Sequence, residues 1–164
     1  MTSPVLMILE VLKGRGETLA VAESLTGGLL AATIVDVPGA SAVFRGGLVV
    51  YATDLKASLA GVPAALLDEH GPVHADVASA LATGARERCG ADWGVSTTGV
   101  AGPESQDGHP VGRAYVGVAG PTDAPRVRQL QLTGDRSAIR HRAVTEALDL
   151  LSQLLGVGRY SFPP

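Results

Sequence analysis

The run TLAVA at residues 18–22 leads through the six residues ESLTGG directly into LLAATIV at residues 29–35. An unbroken apolar stretch of this kind reads as a strand buried on both faces. Such a strand leaves no side for water, so other elements must cover each face. The next segment supplies one cover. From Leu25 to about Val35 it reads as a helix that ends before Pro38.

The alternation continues. VFRGGLVVYA (43–52) reads as a second strand, with Gly46-Gly47 marking a bulge or a close backbone approach. Residues 54–60 and 63–70 are short helical stretches, the first closed by Gly61. HADVASALATGARERC (74–89) is a helix with Val77, Ala78, Leu81, Ala82 and Ala85 on one stripe. DWGVSTTG (92–99) is a strand, and residues 111–120 and 125–133 alternate as an antiparallel pair. Residues 136–155 form the longest helix, with Ile139, Ala143, Ala147, Leu151 and Leu154 expected to face inward. At the other end Ser3-Pro4 starts a helix that Gly14 is expected to close, with Leu6, Leu9, Val11 and Leu12 as its apolar side. These elements predict an α/β fold, a three-layer α/β/α sandwich with a mixed, mostly parallel central sheet. One domain is expected over residues 1–164, with a core at about 5–155 and a loose tail at 156–164.

Composition narrows the class. Aromatic residues are only 4% while apolar residues are 46%, so the core has to be built from Ala, Val and Leu. A net charge of −3 with no Lys/Arg cluster argues against a nucleic-acid surface. The lone Cys89 forbids an internal disulfide and suits a reducing cytoplasm. The amino-terminal run lacks a basic region and a cleavage site, and no apolar stretch is long enough for a membrane span. A cytoplasmic protein is expected.

The chain has no P-loop, no dinucleotide fingerprint after a strand and no G-x-S-x-G elbow. A metal site is not expected either. His70 and His74 are four apart, but Gly71-Pro72 between them prevents one helix face from carrying both.

Four clusters remain. Ser24 ends a strand and opens a helix, which is the place of an N-cap. The same place suits a nucleophile, because free N–H groups near Gly27 and Gly28 would favour a developing oxyanion. A nucleophilic serine needs a base. The chain has two lysines, Lys13 and Lys56, and Lys56 follows the second strand. A free lysine is neutral about once in a few thousand molecules at pH 7, so burial or a neighbouring cation would have to lower its pKa. Otherwise Lys56 is a solvated surface residue. STTGVAGP (96–103) is either a tight polar turn or a hydroxyl- and N–H-lined pocket wall around Thr98 and Gly99. Arg136 and Arg140, one turn apart, either meet an anion or face solvent. Three of these clusters follow strands, where ligands gather in open α/β sheets.

In order, the segments at 22–62, STTGVAGP, PVGRAYVGVAG and GDRSAIRHRAVTEAL resemble the CinA carboxy-terminal domain family over about residues 5–155. The resemblance implies a stand-alone nicotinamide mononucleotide amidohydrolase with a serine–lysine dyad. It implies Ser24 as nucleophile and Lys56 as general base. Tyr51 is implied at the nicotinamide pocket, Thr98 and its neighbours at the active site, and Ser41 near the pocket. An arginine is implied at the substrate phosphate, with Arg140 favoured over Arg136. Gly27 and Gly28 then read as room for substrate. No metal or organic cofactor is implied, and a homo-oligomer, a dimer, is. The chain departs from the family pattern in ESQDGH (104–109), where glycines usually follow AGP, and in His74, where serine is the common cap. Two alternatives stand beside this reading: a non-catalytic nucleotide-binding module that keeps the pocket, and an amidohydrolase for a related small amide.

Overall fold

The computed structural model describes residues 3–158. Helix α1 (Pro4–Arg15) precedes strand β1 (Leu19–Glu23), and α2 (Leu29–Val35) leads through a 3₁₀ turn at Ala40–Ala42 to β2 (Phe44–Val49). Helices α3 (Thr53–Ser58), α4 (Ala64–His70) and α5 (Ala75–Arg88) connect β2 to β3 (Trp93–Gly99). Strands β4 (Arg113–Ala119) and β5 (Arg126–Gln131) follow, and α6 (Arg136–Leu155) closes the described chain.

The sheet order is β2-β1-β3-β4-β5. β1 pairs in parallel with β2 and β3, whereas β4 runs antiparallel to both β3 and β5. Four of the five strands therefore share one direction, the mixed and mostly parallel sheet expected. Strand period sorts the core into layers. Leu19 and Val21 pack in the cluster that contains residues of α1, α2 and α6. Ala20 and Ala22 pack with Val77, Leu81 and Ala85 of α5. In a core so poor in aromatic side chains, close backbone approach replaces bulk. A Cβ on Gly94 would lie 2.0 Å from the Ala82 carbonyl oxygen, so α5 rests almost directly on the sheet.

Gly46-Gly47 stay in register, and the expected bulge falls one residue before them. The register moves from Leu19↔Phe44 to Ala20↔Gly46, which leaves Arg45 as the extra residue of a bulge. A Cβ on Gly47 would stand 2.7 Å from Val21 Cγ2. Other details differ. α1 runs through Gly14 and ends at Gly16, whose φ of 66° supplies the left-handed cap. Its buried face is Val5, Ile8, Leu9 and Leu12, while Leu6 and Val11 are only half-buried, because the i, i+3, i+4, i+7 set starts at Val5. In α6, Leu155 is buried and Leu154 is exposed. Residues 159–164 of the expected loose tail lie outside the described residues. No described helix is long and apolar enough to cross a membrane.

The chain leaves β1 toward β2 on one side and leaves β3 toward β4 on the other. This divergence opens a crevice beyond the carboxyl ends of β1 and β3, where α/β sheets bind ligands. Ser24 stands at that edge.

Candidate active site

The turn after β1 is fixed from several sides. The Ser24 N–H donates to the Thr97 carbonyl (3.0 Å), which extends the β1–β3 ladder by one bond. The Thr26 and Thr97 hydroxyls lie 2.7 Å apart. Gly27 and Gly28 take φ values of +59° and +104°, which side chains rarely adopt, so the chain reverses here before α2 begins. The cap of α2 is Gly28, not Ser24. The first free N–H groups of the helix go to Glu23, whose wholly buried carboxylate accepts from Leu30 N–H (2.8 Å) and Ala31 N–H (3.0 Å). Two expectations change as a result. Ser24 does not cap the helix. The α2 terminus is already neutralised by a carboxylate and is not an oxyanion site. Gly27 and Gly28 serve the turn and lie outside the cavity lining.

Lys56, on α3, is 1% exposed although its helix is short and near the surface. Its Nζ donates to Ser24 Oγ (3.1 Å), to the Val50 carbonyl (2.8 Å) and to the Tyr51 carbonyl (3.3 Å). Burial lowers its pKa from 10.5 to about 8. That shift decides its chemistry. An ammonium would use all three protons on these acceptors. A neutral amine keeps two protons for the carbonyls and turns its lone pair to Ser24. The two carbonyls thus leave the lone pair of a neutral Lys56 facing the Ser24 hydroxyl.

Ser24 and Lys56, both buried, form the floor of a small open cavity of about 120 Å³. Tyr51, Thr98, Gly99 and Arg136 also line it, as the sequence suggested. The Thr98 hydroxyl donates to the Pro72 carbonyl (2.7 Å), so it ties β3 to the loop before α5 rather than offering its proton inward. Arg136 spans the mouth, donating to the Gly102 carbonyl (2.6 Å) and to the Tyr51 hydroxyl (3.1 Å).

Two expected residues are elsewhere. Arg140 donates to the carbonyls of Leu25 and Thr26, both at 2.9 Å, and holds the turn from behind. Of the two arginines, Arg136 lines the cavity and Arg140 does not. Ser41 follows α2, which carries the chain back to the amino-terminal end of the parallel strands before β2 starts, and it lines a separate hollow with Val35 and Phe44. Sequence reasoning missed Pro72, Val73, Glu104 and Gln106 as lining residues. Only the departure of residues 104–109 from the family pattern hinted at the last two.

His70 ends α4 and His74 caps α5, so no single helix face carries both, as Gly71-Pro72 implied, yet the two side chains meet. The loop folds back and stacks their rings, with centroids 3.9 Å apart and planes 4° from parallel. With Asp76 they form the one cluster of possible metal ligands among the described residues. Stacked rings point their lone pairs along parallel planes rather than at a shared point. His74 Nδ1 is moreover engaged as the cap of α5, accepting from the Asp76 N–H (3.1 Å).

A strand-end serine hydrogen-bonded to a buried lysine, in a mixed α/β/α sandwich, defines the class. A family model of the CinA C-terminal domain matches residues 2–155, and the chain belongs to that family. It is 53% identical over 149 residues to a CinA-like protein of Frankia casuarinae, covering 91% of this chain and 34% of that protein. It is 41% identical over 155 residues to a putative competence-damage inducible protein of Streptococcus pneumoniae, covering 94% and 37%. The chain thus spans about a third of the length of these curated relatives. Among solved structures, a competence/damage inducible protein of Agrobacterium tumefaciens superposes with a TM-score of 0.88 at 30% identity, covering 93% of each chain. A competence-damaged protein (CinA) superfamily protein of Escherichia coli superposes equally well, with a TM-score of 0.88 at 29% identity and coverage of 92% and 88%.

Proposed function

We propose that this cavity hydrolyses the carboxamide of nicotinamide mononucleotide to nicotinate mononucleotide and ammonia, as a cytoplasmic step of pyridine nucleotide salvage. The observation that carries the reading is the 3.1 Å contact between Lys56 Nζ and Ser24 Oγ at the floor of a cavity bridged by Arg136.

Neutral Lys56 takes the proton of Ser24 as Oγ attacks the amide carbon. The tetrahedral oxyanion is held by backbone N–H groups of the cavity wall near Leu25 and residues 101–102, because the α2 terminus is engaged by Glu23. Lys56 returns its proton to the departing nitrogen, ammonia leaves and an ester on Ser24 remains. Water then gives its proton to Lys56 and attacks that ester, releasing the carboxylate and restoring the serine. One amide and one water become one acid and one ammonia, with no metal or organic cofactor in the sequence of steps. Arg136 supplies the fixed cation for the phosphate.

The test is ammonia release from the purified protein, with mononucleotide, nucleoside and free nicotinamide compared. Preference for the mononucleotide supports the reading. A thermal shift with the mononucleotide and no ammonia would instead make the protein a binding module, and turnover of a different amide would reassign the substrate.

A further inference from the structure

The segment ESQDGH, where the chain departs from its family, is an ordered element rather than a slack loop. Gln106 and His109 exchange both backbone hydrogen bonds, Gln106 N–H to His109 O at 3.1 Å and His109 N–H to Gln106 O at 2.8 Å. Between them Asp107 and Gly108 both take positive φ, at 50° and 78°. An Asp-Gly pair with two positive φ angles is the signature of a tight two-residue hairpin, which sets its flanking residues in place. One of them, Gln106, lines the cavity, and so does Glu104 two residues before it. The same segment is tied to the anion anchor, because Arg136 donates to the Gly102 carbonyl two residues before Glu104.

We propose that Glu104 and Gln106 are specificity residues that hold the vicinal hydroxyls of a sugar lying between the amide at Ser24 and the anion at Arg136. This rests on the mononucleotide reading of the site. Height within the cavity decides the partner. Ser24 and Lys56 are buried at the floor, while Arg136, Glu104 and Gln106 are exposed at the rim. A ligand with its amide on the floor and its anion on the rim places its linker beside Glu104. A carboxylate beside an anion is favourable only when it accepts from donors, and the donors of a nucleotide linker are hydroxyls. Among the described residues the Glu104 carboxylate has no hydrogen-bond or ion-pair partner, so it is available to accept both. The Gln106 amide contributes a further acceptor and donor at the same rim.

The test separates binding from turnover. In the Ser24→Ala background, calorimetry measures the affinity of nicotinamide mononucleotide and of its 2′,3′-dideoxy analogue, with Glu104→Ala and Gln106→Ala added singly. Circular dichroism checks that each variant is folded. The expected result is that Glu104→Ala weakens the mononucleotide about tenfold or more, as loss of a charge-assisted hydrogen bond does, and leaves the dideoxy analogue unchanged. Gln106→Ala produces a smaller loss of the same selectivity. Equal weakening of both ligands, or of neither, overturns the assignment while leaving the mononucleotide reading intact. No binding of the mononucleotide to folded Ser24→Ala protein overturns both.

Discussion

Lys56 Nζ lies 3.1 Å from Ser24 Oγ although 32 residues separate them in the chain. Two parallel neighbours bring them together, since β1 delivers Ser24 and β2 leads into the helix that carries Lys56. In the proposed mechanism, replacing either side chain removes half of the unit that moves the proton. Ser24→Ala and Lys56→Ala are each expected to lower ammonia release by at least about 10³-fold, and the double variant by little more than either one. Activity surviving in both single variants would remove the dyad from the mechanism. Ser24→Ala keeps the cavity walls and should still bind the mononucleotide.

The base is useful only when neutral. With its pKa lowered to about 8 by burial, about one Lys56 in ten is neutral at pH 7, against one in a few thousand for a free lysine. kcat/KM should therefore rise about tenfold per pH unit below pH 8 and level off above it. A flat profile between pH 6 and 9 would show that some other group takes the serine proton.

Much of the site can be read from single stretches of sequence, and its omissions share a cause. Ser24, Lys56, Thr98 and Arg136 sit beside local signals, namely a strand end, a glycine pair or a helix start. The helix spans residues 136–155 as its sequence implies, because Asp135 caps it and Gly156 ends it. The failures depend on distant partners. Arg140 sits on the right helix, yet its side chain meets the carbonyls of residues more than a hundred positions away. Ser41 lies close in sequence to the second strand but at the wrong end of it. The His70–His74 stack arises from a loop that doubles back between two helices, which no single-helix spacing describes. Glu23 reads as a polar intruder at a strand end, and only the structure shows two helix N–H groups converging on it.

Burying a lysine also makes stability depend on pH. The unfolded lysine titrates near 10.5 and the folded one near 8, so between these values the unfolded chain holds one more proton. Stability from this group is therefore lowest below pH 8 and rises as pH increases toward 10.5. The full shift corresponds to on the order of 3 kcal/mol. Relative to Lys56→Met, the wild-type protein should gain stability between pH 7.5 and 10 in denaturant melts. A constant difference between the two across that range would show that Lys56 is not held with a depressed pKa.

The two arginines of α6 should part company. Arg136→Ala removes the cation at the cavity mouth and is expected to raise KM for the mononucleotide tenfold or more, with little change for the nucleoside. Arg140→Ala leaves the Leu25 and Thr26 carbonyls without their donor. It should lower the melting temperature, at a cost of about 1–3 kcal/mol, and reduce kcat for both substrates alike. The reverse pattern would return the phosphate to Arg140.

Glu23 offers the last separation, between a group that reacts and one that holds the reacting group. Its carboxylate is wholly buried and accepts from Leu30 and Ala31, while its backbone carbonyl accepts from the Val50 N–H (2.9 Å). Val50 is also the residue whose carbonyl accepts a hydrogen bond from Lys56. One residue therefore joins the Ser24 turn, the start of α2 and the strand end that holds Lys56. Glu23→Ala strands two buried N–H groups and opens a void, so a loss of about 2–4 kcal/mol is expected in chemical denaturation. Glu23→Gln keeps one accepting oxygen and the volume, so it should cost less. If Glu23 only positions the turn, the Gln variant keeps the pH midpoint set by Lys56 and loses kcat in proportion to disorder at Ser24. A midpoint that moves with Glu23→Gln would instead make this carboxylate part of the proton path.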